Sequence, residues 1–371
     1  MTDKLIYQIG LTMINGIGDI LARHLLEMFG DAEAIFSEKK QTLEKVPGIG
    51  SILAAEIKRA NVLQRAEQEL DFIEKNNIVP YFLTDKEYPE RLRQCPDAPV
   101  LFYFKGNADL NAKYIISIVG TRHSTGYGQE LTEQLIDGLA AVLPDVLIVS
   151  GLAYGIDICA HKNALKNKLS TVAVLAHGLD RIYPPLHRNT AVEMLSNGGL
   201  LTDFPSQTDP DKPNFIKRNR IVAGLADATV VIESADKGGS LITADIAFSY
   251  GRDVYTFPGR IADPYSKGCN QLIKQNKAGL ITSANDLISA MRWDITPQKA
   301  PMAVQAELFF PENEKHTNIQ SLLYSEKELH INQLALLLDM PVQELSGILF
   351  ELEMNGIVKV MPGNIYTLVH K

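Results

Sequence analysis

Tyr114-Ile-Ile-Ser-Ile-Val-Gly-Thr-Arg-His-Ser-Thr-Gly-Tyr-Gly128 is the stretch on which the fold turns. Tyr114–Val119 is apolar almost without alternation and enters a glycine-rich turn. Beyond it, Gly128–Leu143 repeats apolar side chains at helical spacing. A short strand buried on both faces, then a glycine turn, then a helix, is the corner of a parallel sheet. The rhythm recurs on either side. Strands are expected at Val146–Val149, Thr171–Leu175, Leu200–Thr202, Thr229–Ile232 and Val254–Thr256, with helices such as Ala160–Lys166 and Ser240–Tyr250 between them. The expected fold class is therefore α/β: a doubly wound, mostly parallel, Rossmann-like sheet over residues 80–293.

The flanks read differently. Residues 1–79 are expected to form an all-helical helix-hairpin-helix (SAM-like) module. Leu11-Thr-Met-Ile-Asn-Gly-Ile-Gly18 opens one helix and Val46-Pro-Gly-Ile-Gly50 another, with Asp19 and Ser51 as expected N-caps. Such turns leave backbone N–H groups where a phosphate can sit, but the acidic excess of this segment favours reading them as tight packing turns. Residues 294–315, with Pro297, Pro301 and Pro311, read as a linker. Residues 316–371 follow a winged-helix order: a helix at Ile331–Leu338, a break at Met340-Pro341, a second helix at Val342–Asn355 and a closing β-hairpin. That second helix carries Glu344, Glu351 and Glu353 and no basic residue, which favours a protein-interaction or self-association role over reading DNA.

Composition narrows the class. The 371 residues are 46% hydrophobic and 22% charged, as in a soluble globular protein. No apolar run is long enough to span a membrane, and the start lacks a signal-type segment. Cys95, Cys159 and Cys269 are far apart, so no metal or redox pair is expected, and a reduced cytoplasmic protein fits. The net charge of -8 divides as -3, 0 and -5 over residues 1–79, 80–293 and 294–371. Only the middle lacks an acidic excess, and local charge governs phosphate binding.

Four constellations there could carry function. The turn Gly120-Thr121-Arg122 offers N–H groups, a helix start and a guanidinium fork to an anion. Its glycines lack the G-x-G-x-x-G spacing, and Ser150-Gly151 stands where a ribose-binding acid would end the second strand, so a dinucleotide cofactor is not expected. In Val149–His161, Asp157 and His161 lie on one helix face. They form either an acid/base pair or, the preferred reading, a loop-bonding carboxylate above a packed imidazole. Lys212-Pro-Asn-Phe-Ile-Lys-Arg-Asn-Arg220 sets Lys212, Lys217, Arg218 and Arg220 around Phe215, the pairing of phosphate neutralisation and base stacking that single-stranded nucleic acid needs. Gly238-Gly239-Ser240 opens another helix as an anion nest, with Glu233 expected to orient the loop rather than catalyse.

Val-Gly-Thr-Arg at 119–122, Ser-Gly-Leu-Ala-Tyr-Gly-Ile-Asp at 150–157, Gly-Leu-Asp-Arg-Ile-Tyr-Pro at 178–184, Arg-Asn-Arg-Ile-Val-Ala-Gly-Leu at 218–225, Gly-Gly-Ser-Leu-Ile-Thr-Ala at 238–244 and Phe-Pro-Gly at 257–259 resemble the DNA-processing protein A (Smf) family. The resemblance covers roughly residues 80–293. It implies a non-enzymatic protein without cofactor that binds single-stranded DNA, helps load the RecA recombinase in natural transformation, and forms homodimers. It also implies that Gly120, Thr121, Arg122, Gly151, Lys212, Phe215, Lys217, Arg218, Arg220 and Ser240 line the DNA groove. One departure is Phe215-Ile-Lys-Arg-Asn-Arg220, where many members have proline after the phenylalanine. The competing enzyme reading is a nucleoside-monophosphate phosphoribohydrolase of the lysine-decarboxylase-like group. Its catalytic loop would fall on Gly238–Asp245, but a glycine is replaced by Leu241 and the acid is Asp245 rather than glutamate. Finally, Gln305-Ala-Glu-Leu-Phe309 resembles the peptide that docks on bacterial sliding clamps, with Gln305, Leu308 and Phe309 as its anchors.

Overall fold

The computed structural model describes residues 2–293, 314–361 and 363–369. The chain divides after Ile295 into two compact units. The larger is organised by a nine-stranded sheet: β1 (Val79–Phe82), β2 (Leu101–Gly106), β3 (Ile115–Val119), β4 (Leu147–Ser150), β5 (Thr171–Val174), β6 (Gly198–Thr202), β7 (Ala228–Val231), β8 (Asp253–Thr256) and β9 (Gly279–Leu280), in the order β1-β2-β6-β5-β4-β3-β7-β8-β9. From β6 to β9 all neighbours are parallel. The chain winds outward from β3 in both directions, so the β3–β7 boundary is the topological switch point. Six of the seven parallel strands lie within two residues of their expected positions. They are apolar on both faces because helices cover both faces: β3, β4, β5, β6 and β7 are buried throughout.

The antiparallel extension β1–β2 was not anticipated. Pro80 in β1 argues against a strand, but it is tolerated here because β1 is the edge. Phe102 and Phe104 of β2 pack on Tyr81 and bury this margin.

The helix-hairpin-helix module belongs to the same unit. Its helices Asp19–Phe29 and Ser51–Arg59 begin one residue earlier in register than expected. Gly18 and Gly50 hold the cap positions in extended conformation, and neither Asp19 nor Ser51 caps. The hairpin turns interlock. Gly16 and Gly48 both have positive φ, and a Cβ on Gly16 would press on Leu53 while one on Gly48 would press on Leu21. The module is fastened to the sheet by charge. Glu69 accepts from the Ser206 N–H at 2.8 Å and pairs with Arg65 at 2.8 Å. Asp19 accepts from the Val100 N–H at 3.1 Å and, with Asp203 at the end of β6, receives the Arg220 guanidinium at 2.9 and 2.6 Å.

The second unit holds the helix Glu314–Glu326, β10 (Glu328–His330), the helices Ile331–Leu337 and Val342–Met354, and the hairpin β11 (Val358–Met361) and β12 (Ile365–Leu368), with sheet order β10-β12-β11. Leu323, Leu334, Leu345, Leu349 and Leu352 form its core. The helix Glu314–Glu326 starts inside the stretch read as linker. Gln305, Leu308 and Phe309 lie outside the described residues. No helix among the described residues is long and apolar enough to cross a membrane.

Arg220 is buried among three acidic residues, donating also to the Asp97 carbonyl, and Asp203 is almost wholly enclosed. Arg220→Ala is expected to lower the unfolding free energy by about 3–5 kcal/mol in a urea titration, because it strands buried carboxylates. Lys217→Ala, which removes a half-exposed ammonium 3.4 Å from an Asp203 that Arg220 still holds, is expected to cost about 1 kcal/mol or less.

Candidate nucleic-acid interface

A cleft of ≈ 570 Å³ opens at the carboxyl ends of β3, β4 and β7. Its first wall is the turn Gly120–Arg122. Glu233 holds that turn: its backbone carbonyl accepts from the Thr121 N–H at 2.8 Å, and its two carboxylate oxygens accept from the Thr125 N–H at 2.9 Å and the Thr125 hydroxyl at 2.6 Å. Thr125 in turn caps the helix Gly126–Val142. Glu233 therefore orients the loop.

The opposite wall is the helix Lys212–Leu225, with Pro213 in its first turn, where a missing N–H costs nothing. Helical spacing turns Lys212, Phe215, Arg218, Asn219 and Val222 toward the cleft. Lys212 and Arg122 are exposed at the rim, and the Arg122 guanidinium lies 5.0 Å from the Phe215 ring centroid. Tyr183, from the loop after β5, meets Phe215 edge-on at 6.0 Å. The third wall is the start of the helix Gly239–Ser249, whose first N–H groups have no intrahelical acceptor.

Arg218 forms the floor. It is buried and donates to the Gly151 carbonyl at 2.8 Å and to the Val174 carbonyl. Gly151 leaves room for it, since a Cβ there would press on the guanidinium and displace it. Burial pushes the Arg218 pKa down to about 10, so it remains a cation at neutral pH. Beside it Asp157 accepts from the Ala153 N–H at 3.4 Å, and burial raises its pKa. His161 bonds Thr171 through Nδ1 at 2.7 Å and is fully buried. Asp157 and His161 are thus a loop-bonding carboxylate and a core imidazole.

The structure brings together Gly120, Thr121, Arg122, Gly151, Lys212, Phe215, Arg218 and Ser240. It leaves two expected residues out. Lys217 and Arg220 project from the other side of their helix into a separate crease against Asp19 and Asp203. Adjacency in sequence put them in the groove, and helical geometry takes them out. Ser240 is present, but its hydroxyl is buried on Ser234 at 2.9 Å, which leaves its backbone as the group facing a ligand. Tyr183 was missed as a site residue, although it stands in the motif at 178–184 that carried the resemblance.

The cleft thus offers exposed cations, an aromatic ring and peptide N–H groups, and its one lining carboxylate, Asp157, is committed to loop and floor. Asp245, the residue an N-glycosidase would need, is exposed and paired with Lys277 at 2.7 Å, away from the cleft lining. These features suit a protein that binds a phosphate-bearing, base-bearing ligand.

The sequence model of the family described as DNA recombination-mediator protein A matches residues 80–292. A SAM-like helix-hairpin-helix tandem matches residues 9–60, and the winged-helix domain of the same family matches residues 310–364. Protein Smf of Synechocystis is 34% identical over 291 residues, covering 77% of this chain and 72% of that protein. The DNA processing protein DprA of Streptococcus pneumoniae is 39% identical over 209 residues, covering 56% and 73%. Among solved structures, DNA processing protein A of S. pneumoniae superposes with a TM-score of 0.66 at 31% identity, covering 78% of this chain and 98% of that one. The Helicobacter pylori protein, described for its single-stranded DNA binding mode, gives 0.52 at 29% identity, covering 58% and 95%. The chain belongs to the DNA-processing protein A (DprA/Smf) family of recombination mediators.

Burial holds His161 neutral by lowering its pKa from 6.5 to about 3. The unfolded chain takes up that proton below about pH 6.5 and the folded chain does not, so this contribution to stability is complete above about pH 6.5 and is lost as the pH falls toward 3. His161→Leu removes the term. Its stability deficit against wild type, measured by urea titration, is expected to narrow steadily from pH 7 to pH 4.

Proposed function

We propose that the cleft between the Gly120–Arg122 turn and the helix Lys212–Leu225 binds single-stranded DNA. The observation that carries this reading is the Arg122–Phe215 pair with Lys212 beside it, a cation and a ring at one rim, opposite a helix start. Phosphates are neutralised by Arg122 and Lys212 and received by N–H groups at Gly239 and Ser240, while bases stack on Phe215. The single-stranded DNA binding of the H. pylori relative supports the assignment.

On this reading the protein acts as a mediator: it holds a strand, protects it and passes it to the RecA recombinase, as in natural transformation. A homodimer would set two such clefts to work on one strand, raising avidity without new contacts.

Fluorescence anisotropy with a labelled unstructured oligonucleotide, single-stranded and duplex, across a salt series, tests the assignment. Wild type is expected to prefer the single strand. Arg122→Ala and Lys212→Ala are each expected to reduce the slope of log K against log salt by about 0.7. Phe215→Ala is expected to cost about 1–3 kcal/mol of binding with little change in slope. Equal affinity for duplex, or normal binding by all three variants, would contradict the proposal.

A further inference from the structure

Beside the cleft lies a second depression of ≈ 460 Å³, and Ile216 lines both. It sits where the helix-hairpin-helix module meets the sheet domain. Ile20, in the first turn of the helix Asp19–Phe29, lines it together with Ile216 and with Ile246, one helical turn beyond the cleft residue Ile242. Ile20 is 50% exposed, Ile216 48% and Ile242 38%. An apolar track thus leads from the DNA cleft to the first hairpin. Of the charged groups beneath it, Arg220 is held by Asp19 and Asp203 and Asp97 by the Tyr250 hydroxyl, while the half-exposed Lys217 ammonium faces the same two carboxylates at 3.9 and 3.4 Å.

Two consequences follow for an occupant. A phosphate is poorly served here: Asp19 puts a carboxylate in the first turn of the helix that could receive one, and Arg220 and Lys217 face Asp19 and Asp203. An apolar planar group continuous with whatever fills the cleft is better served.

We propose that this crease seats a nucleobase of the same strand, adjacent to the stretch held in the cleft. The base lies between Ile20 and Ile216 and its phosphates remain at the rim. The hairpin then touches DNA through a side chain and a base rather than through backbone N–H groups and a phosphate. The inference rests on the single-stranded DNA reading of the cleft, continued across Ile216.

The test uses the full chain, with anisotropy on oligodeoxythymidylates of increasing length and on long oligonucleotides whose 5′ or 3′ half is abasic. Ile20→Ala, at an exposed position, is expected to weaken the long oligonucleotide about fivefold, the worth of one apolar side chain covered by a base. It is expected to leave the salt slope and the affinity for the shortest bound oligonucleotide unchanged. An abasic half on one side is expected to weaken wild type by a similar factor and the Ile20→Ala protein by no further amount, since both remove the same contact. Arg122→Ala serves as the reference and is expected to weaken binding at every length.

If Arg122→Ala weakens binding and Ile20→Ala does not at any length, the crease assignment is wrong and the cleft assignment stands. Additive losses from Ile20→Ala and the abasic half also overturn the crease. So does tighter binding by Ile20→Lys, which would place phosphates there. If Arg122→Ala, Lys212→Ala and Phe215→Ala all bind normally at every length, the cleft reading fails and the crease falls with it.

Discussion

The Arg218 guanidinium, enclosed beneath the cleft and bonded to the carbonyls of Gly151 and Val174, is the interaction on which the rest of the site depends. A cation taken out of water needs acceptors and a counter-charge, and the ends of β4 and β5 supply the first while Asp157 supplies the second. The arrangement ties the helix Lys212–Leu225 to two strands at a fixed rotation. That rotation sends Lys212 and Phe215 toward the cleft and Ile216 and Arg220 toward the helical module. It also leaves a positive charge under the floor while the exposed cations, Arg122 and Lys212, stand in front.

The parallel strands were legible because burial on both faces imposes a run of Val, Ile and Ala that no solvent-facing segment shows, as Ile115–Val119 and Thr171–Val174 illustrate. The margin was not. β1 contains a proline and the two-residue β9 is too short to announce itself, and both exist only because the sheet offers them an edge. The site was legible in its parts and less so in its assembly. Arg122, Lys212 and Phe215 met across the cleft as their residue types suggested. Lys217 and Arg220 did not, since a basic run on a helix is distributed around its axis at about 100° per residue. Tyr183 lacked a local signal: only the path of the loop after β5 brings it to Phe215.

An acidic chain that binds a polyanion needs its negative charge kept off the ligand face, and the helical module shows one way to do so. Asp19 and Glu69 are turned inward, one onto Arg220 and the other onto Arg65 and Ser206. They join the module to the sheet domain and present no charge to a strand lying in the cleft. The same contacts explain why two arginines two residues apart, Arg218 and Arg220, have different work. One supports the floor and the other holds a neighbouring domain in place.

The interlock of the two hairpins has a consequence for how the module folds. Leu53 of the second hairpin fills the space over Gly16, and Leu21 of the first fills the space over Gly48. Neither half has a complete core without the other, so the pair behaves as a single cooperative element rather than two independent turns. Loss of one hairpin would expose the leucine of its partner. The surface that carries Ile20 to the edge of the cleft is therefore set by residues some thirty positions further along the chain, as much as by its own turn.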